Sequence, residues 1–224
     1  MLHHYLPPDE QKQLIDAAGT SAALLDRRDH AWMRALLYSG LRIQEFALIK
    51  LGTALTALRG KYLFIPREDR KGKFRDHKVF VTEQLRSSLT DLVTIHFEMV
   101  GDSKSNLDHA LIISRQSGQS GQPMSVRSYQ LRIKYWAKVA GLTSDVSPHW
   151  LRHTRAMNIM RNSQAKDPRG VTQQALGHVS ISSTGIYTGV LREELESALT
   201  QTDTVPSKRV SLKQLRADFE RSAS

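Results

Sequence analysis

A mainly α-helical fold with one small antiparallel β-hairpin is what this sequence predicts, and three features predict it. Apolar residues recur at three- and four-residue steps through most of the chain, the spacing that lines them up on one helix face. Two short β-prone segments, residues 61–66 and 77–82, are separated by a polar connector and not by a helix-length stretch, so they read as partners in a hairpin. With 224 residues and no cysteine, the chain can bury an ordinary core without disulfides.

In chain order, residues 8–18 form the first expected helix, entered through Pro7-Pro8, with Asp9 and Glu10 where carboxylates complement the positive helix end. Residues 22–39 follow, with Leu24, Leu25, Trp32, Leu36 and Leu37 on a core-facing stripe that Gly40 breaks. Another helix is expected from Arg42, burying Phe46, Leu48, Ile49 and Leu51. The hairpin comes next, its strands joined by REDRKGKFRD with Gly72 available for the turn. Residues 83–99 carry Leu85, Leu89, Leu92, Val93 and His96 in an amphipathic helix, and a loop, the short buried segment ALIIS and a Gly/Ser-rich loop follow. Residues 125–140 read as a helix whose Tyr129, Tyr135 and Trp136 lie at the spacings of a buried face. Two more helices span the HWLRH and ALGH segments, residues 191–199 are helical, and a polar break leads to a last helix with Leu212, Leu215 and Phe219 on one stripe.

Charge narrows the partner class. Thirty-two Lys and Arg against twenty-two Asp and Glu leave +10, a balance that favours a polyanion. Half of that excess sits in residues 59–78, which hold eight Lys or Arg and three acids. Arg127, Arg132, Lys134 and Lys138 form a second basic run on the helix over 125–140. Clusters of this kind are the footprint of phosphate contact. The N-terminus, MLHHYLPPDEQKQ, lacks the unbroken apolar run of a signal peptide, and no later stretch has membrane-spanning length, so a soluble, cytoplasmic protein is expected.

The densest chemistry lies between His149 and Tyr187. If HWLRH opens a helix, His149, Arg152 and His153 stand at i, i+3 and i+4 and share one face. Leu176 followed by Gly177 reads as a helix end with a left-handed cap, which leaves His178 opening a loop, and Tyr187 follows nine residues later. Zinc is the rival reading, with His149 and His153 spaced as H-x-x-x-H and His178 as a third ligand, but Trp150 stands where H-E-x-x-H needs its glutamate.

HWLRH resembles the His-x-x-Arg-His box of the tyrosine recombinases, or phage-type integrases, and ALGHVSISSTGIYT resembles their Leu-Gly-His…Tyr-Thr box. LLYSGLRIQEFALIKL, residues 36–51, is similar to the segment that supplies their first arginine, here Arg42. The three boxes occur in the family's order, and the resemblance runs from Tyr5 to about Arg192.

What the resemblance implies is specific. The fold would be α+β, like the family's catalytic domain, over residues 1–202, with residues 203–224 a linker and C-terminal helix packing on its own domain or docking on a neighbouring copy. The family's N-terminal DNA-clamping domain is not expected, which makes the chain a naturally short member or an excised catalytic domain. Arg42 and Arg152 would grip the scissile phosphate, His178 would hydrogen-bond it, Tyr187 would attack, His149 would assist the phenol and Lys71 would protonate the leaving 5′ oxygen. Lys73 remains the alternative lysine, because hairpin register cannot be set from one sequence. Lys73, Arg75, Arg127, Arg132 and Lys134 would contact DNA. No cofactor, metal or ATP is implied. The implied partners are double-stranded DNA, a homotetramer on two sites and an accessory directionality factor, with the protein associated with the nucleoid. A type IB topoisomerase and a non-cutting DNA-binding regulator are the alternatives.

Overall fold

The apolar stripe of residues 22–39 becomes the centre of the molecule. The structure, a computed structural model, describes residues 4–101, 104–114, 121–142 and 145–177. Helix α1 (Pro8–Gly19) leads to α2 (Leu24–Ser39), whose Trp32, Met33, Leu36 and Leu37 are fully buried. Each such side chain contributes roughly 1.5–3 kcal/mol of burial, and α2 packs most extensively on α5 (Glu83–Val100), then on α7 (Pro148–Asn162) and α1. The helix starts follow local chemistry: Pro8 and Pro148 occupy first-turn positions, Thr82 accepts from Leu85 N–H, and Ser125 accepts from Ser128 N–H ahead of α6 (Val126–Val139). Far from its own neighbours in sequence, Leu6 N–H donates to Thr154 Oγ1 at 2.9 Å and fastens the N-terminal segment to α7.

The hairpin is present, slightly shorter than expected. Strand β1 (Tyr62–Ile65) pairs antiparallel with β2 (His77–Phe80), in the register Tyr62 with Phe80 and Ile65 with His77. Alternation turns Leu63, Ile65 and Val79 into the core and leaves Tyr62, Phe64 and Phe80 exposed. The same alternation buries His77.

Three expectations are corrected. The helix expected from Arg42 is two: α3 (Ile43–Ala47) stops because Leu51 N–H donates to His109 and Leu111 N–H to Ile49, so the backbone leaves the helical path before α4 (Leu51–Arg59) begins. Leu48, expected to be buried, is 44% exposed at that break. On α6, Tyr129 and Trp136 are buried as expected, whereas Tyr135 lies at the surface with Arg132 stacked over its ring.

Beneath that stack sits a buried ionic cluster joining α2 to α6. The Asp29 carboxylate, fully buried, accepts from Arg28 Nη2 at 2.9 Å, from Trp32 Nε1 and Trp136 Nε1 at 3.1 Å each, and from Arg132 Nε. A buried charge is tolerable only when paired and hydrogen-bonded, and this one is.

Candidate active site

Arg42 is the N-cap of α3. Its backbone N–H donates to Glu45 Oε2 at 3.2 Å and its Nη1 to Glu45 Oε1 at 3.1 Å. The pairing that an isolated reading would call a surface ion pair therefore rests on a carboxylate that is 1% exposed, which aims the arginine.

Arg152, on α7, is buried. It donates to the carbonyl of Gly40 from Nη1 and to that of Leu176 from Nη2, the latter at 3.1 Å. Both acceptors lie at helix C-termini, the ends of α2 and of α8 (Pro168–Leu176), where unpaired carbonyls make a partial negative charge that suits a guanidinium. Gly40 also allows α8 to come close. At φ 64° it is left-handed, and a Cβ there would stand 2.6 Å from Leu176 Cδ2. Arg152 thus holds the backbone two residues before Arg42.

The cap expected at Gly177 is present, at φ 62° and ψ 39°. The space its missing side chain leaves is occupied: a Cβ would meet Arg70 Nη2 at 2.5 Å and His77 Nδ1 at 2.9 Å. Arg70 Nη2 donates to the Gly177 carbonyl at 2.7 Å, and His77 Nε2 lies 3.2 Å from the Ala175 carbonyl. Burial, with Arg70 close by, pushes the His77 imidazole down to about 4. It is therefore neutral at pH 7 and donates to that carbonyl.

His149 stands at the surface of α7. Partial burial lowers its pKa, and Arg152, Arg42, His4 and Lys71 lower it further. Three cationic site residues expected from the sequence, Arg42, Lys71 and Arg152, therefore act on one imidazole. Lys71 is one of the two central residues of a turn closed by Lys73 N–H to the Arg70 carbonyl at 3.1 Å. Lys73, at φ 51°, acts electrostatically on Glu68. His153 packs edge-on against His149, ring centroids 4.4 Å apart, and burial with His149 and Arg152 nearby lowers it to about 4. Among the described residues no three His, Cys, Asp or Glu side chains form a group able to hold a metal ion.

Of the six expected catalytic residues, Arg42, Lys71, His149 and Arg152 come together; His178 and Tyr187 lie outside the described residues. Lys73 and Arg75 are exposed on the hairpin connector beside Lys71, and Arg127 and Lys134 are exposed on α6. Arg132 is different. Its guanidinium, 30% exposed, is paired with Asp26 and Asp29, so its charge is already balanced by two carboxylates. Glu45, Arg70 and His77 did not enter the sequence reading as site residues. A carboxylate three residues after an N-cap was a usable signal for the first; the burial of the other two comes from contacts about 100 residues away. A groove of about 680 Å³ lined by Tyr38, Lys78, Phe80, Arg155 and Val171 contains none of the catalytic candidates, so cavity size does not locate this site.

Guanidinium, ammonium and imidazole groups are the donors that a tetrahedral oxyanion calls for. The sequence pattern that defines the phage integrase family matches residues 4–194. The chain belongs to that family. Among its relatives, the tyrosine recombinase XerC of Listeria innocua is 29% identical over 189 residues, covering 84% of this chain and 58% of the relative. The chain thus spans rather more than half the length of the curated phage integrase relatives it matches. The crystal structure of XerA recombinase superposes with a TM-score of 0.68 at 29% identity, covering 88% of this chain and 64% of that one. The XerH site-specific recombinase bound to its palindromic difH substrate, in a post-cleavage complex, has the same fold, with a TM-score of 0.67 at 19% identity over 89% of this chain and 53% of that one.

Proposed function

We propose that this phage integrase family member is the catalytic part of a site-specific DNA recombinase, which cuts and rejoins strands through a 3′-phosphotyrosyl intermediate. The observation that carries the reading is that Arg152 is hydrogen-bonded to the end of the helix whose cap opens the Leu-Gly-His…Tyr box, with Arg42, Lys71 and Arg152 all close enough to act electrostatically on His149. The relatives named tyrosine recombinase support the reaction class, and XerH with its difH substrate supports DNA as the substrate.

The chemistry follows from the groups. The Tyr187 oxygen bonds to phosphorus as the P–O5′ bond breaks, with Arg42 and Arg152 neutralising charge on the non-bridging oxygens. The phenol proton goes to His149, which partial burial and then its cationic neighbours hold in the neutral form that can accept it. The departing 5′ oxygen takes a proton from Lys71, and His178 hydrogen-bonds the phosphate. Rejoining is the reverse: a 5′ hydroxyl attacks the phosphotyrosine and Tyr187 leaves, so the bond energy is retained and no ATP is consumed. Double-stranded DNA, four protomers on two sites and a cytoplasmic, nucleoid-associated location complete the proposal.

The test is a nicked suicide substrate carrying a recombination site from the native host, incubated with the chain and resolved by denaturing gel. Wild-type protein forms a covalent adduct and Tyr187→Phe does not. An adduct that survives in Tyr187→Phe removes the nucleophile assignment. A wild-type chain that binds the site and never becomes attached to it favours the non-cutting regulator.

A further inference from the structure

Arg70 is a buried cation that the proposed chemistry does not use. Its side chain is 5% exposed, yet it belongs to the charged connector whose neighbours Lys71, Lys73 and Arg75 are all at the surface. Nη1 donates to the Arg75 carbonyl at 2.9 Å, Nη2 donates to the Gly177 carbonyl at 2.7 Å, and Nε lies 3.7 Å from Glu45 Oε1. One planar group therefore touches the far side of the Lys71 turn, the cap of α8 and the carboxylate that aims Arg42. The turn's backbone is tied on both sides of Lys71, by Arg70 N–H to Arg67 and by Lys73 N–H to Arg70.

Stability alone is a poor reason to keep such an arrangement. Desolvating two guanidinium groups around one carboxylate is costly, and well-packed apolar side chains often do as well. Arg42 and Arg75 also repel Arg70, which adds to that cost. What the guanidinium provides that an apolar side chain cannot is directional registration of an exposed loop against a helix end 107 residues away in sequence.

We propose that Arg70 is a positioning residue that sets the reach of Lys71 towards the scissile phosphate, clamping the lysine's turn to the α8 cap and, through Glu45, to Arg42. It touches no reacting atom. The proposal rests on the strand-exchange reading, in which Lys71 protonates the leaving 5′ oxygen, and it predicts a defect confined to that proton transfer.

The experiment compares two suicide substrates, one with the ordinary 5′-bridging oxygen and one with sulfur there, since a thiolate leaves without a proton donor. Wild-type chain, Arg70→Met, Arg70→Lys and Lys71→Ala are compared under single-turnover conditions, with DNA affinity measured alongside and folding checked by circular dichroism. On the oxygen substrate Arg70→Met should cleave on the order of 10²-fold more slowly, the loss expected when a reacting group is misplaced by about 1 Å. On the sulfur substrate it should come within several-fold of wild type, as should Lys71→Ala. Arg70→Lys, which keeps the charge beside Glu45 but cannot span both carbonyls, should fall between and also be rescued by sulfur; it keeps the test open if Arg70→Met does not fold. Equal loss on both substrates would assign Arg70 a merely structural role and overturn the proposal, as would full activity on oxygen. A folded wild-type chain that cleaves neither substrate overturns instead the strand-exchange reading beneath it.

Discussion

Replacing Gly177 with alanine puts a single methyl group into the junction of the α8 cap, Arg70 and His77. The backbone at φ 62° is left-handed, which costs an L-residue about 1–2 kcal/mol. The new Cβ would lie 2.5 Å from Arg70 Nη2, and Arg70 cannot swing aside freely because Nη1 is held by the Arg75 carbonyl. The relief available is to break the bond from Nη2 to the Gly177 carbonyl, a charge-assisted hydrogen bond worth about 1.5–3 kcal/mol. The two effects together predict a loss of about 2.5–5 kcal/mol. For a chain of this size each kcal/mol lowers the melting temperature by about 2–4 °C, so Gly177→Ala should melt roughly 5–20 °C lower. Urea unfolding of wild type, Gly177→Ala, Arg70→Ala and the double variant measures the coupling directly. Because Arg70→Ala removes the closest clash, leaving only His77 Nδ1 at 2.9 Å, and already lacks the bond, the double variant should lose about 2 kcal/mol less than the sum of the singles. A Gly177→Ala chain within 1 kcal/mol of wild type, or strict additivity, would refute the account of this corner.

Three further outcomes follow from the geometry. Asp29→Ala leaves the buried Arg28 without its carboxylate and Arg132 with Asp26 alone, and should cost about 3–5 kcal/mol by urea unfolding, against little for an exposed acid such as Glu83. His77 and His153 are held neutral, at about 4 against an ordinary value of 6.5, so the unfolded chain binds more protons between those limits. Unfolding free energy should therefore be level above pH 6.5 and fall steadily from pH 6.5 to about 4, and a His77→Gln variant should show a shallower fall. If about six phosphates are neutralised on binding, log K should decrease with log salt at a slope near −5. Lys134→Ala should make that slope shallower by about 1, whereas Arg132→Ala, its charge already balanced by Asp26 and Asp29, should lower stability and leave the slope alone.

Local signals read well. The α2 stripe ending at Gly40, the β1–β2 hairpin, Pro148 opening the HWLRH helix and the left-handed cap at Gly177 all depend on residues within a few positions of one another, and all are present. Where the reading of the Arg42 helix failed, a distant partner had intervened, since residues 49–51 hydrogen-bond to residues 109–111. Tyr135 is at the surface because the buried stripe of α6 runs through Tyr129, Ile133, Trp136 and Ala137 and leaves it on another face. Burial of a charge in a basic loop is the hardest case, since Arg70 has the same local surroundings as its exposed neighbours.

By itself the sequence determined which chemistry was on offer: the guanidinium pair, the lysines of the connector, the imidazoles of HWLRH and the spacing of the Leu-Gly-His…Tyr box, because residue type and short-range periodicity are local properties. Only the tertiary structure decided, among the described residues, which cations are paired inside the fold and which stay available. Arg132 is paired with Asp26 and Asp29 and Arg70 ties the lysine turn to the α8 cap, whereas Arg152, oriented by the carbonyls of two helix ends, meets no carboxylate in those bonds and keeps its charge for the phosphate. Pairing depends on distance in space, and a guanidinium finds its acceptor wherever the packed chain brings a carboxylate or a helix terminus within about 3 Å.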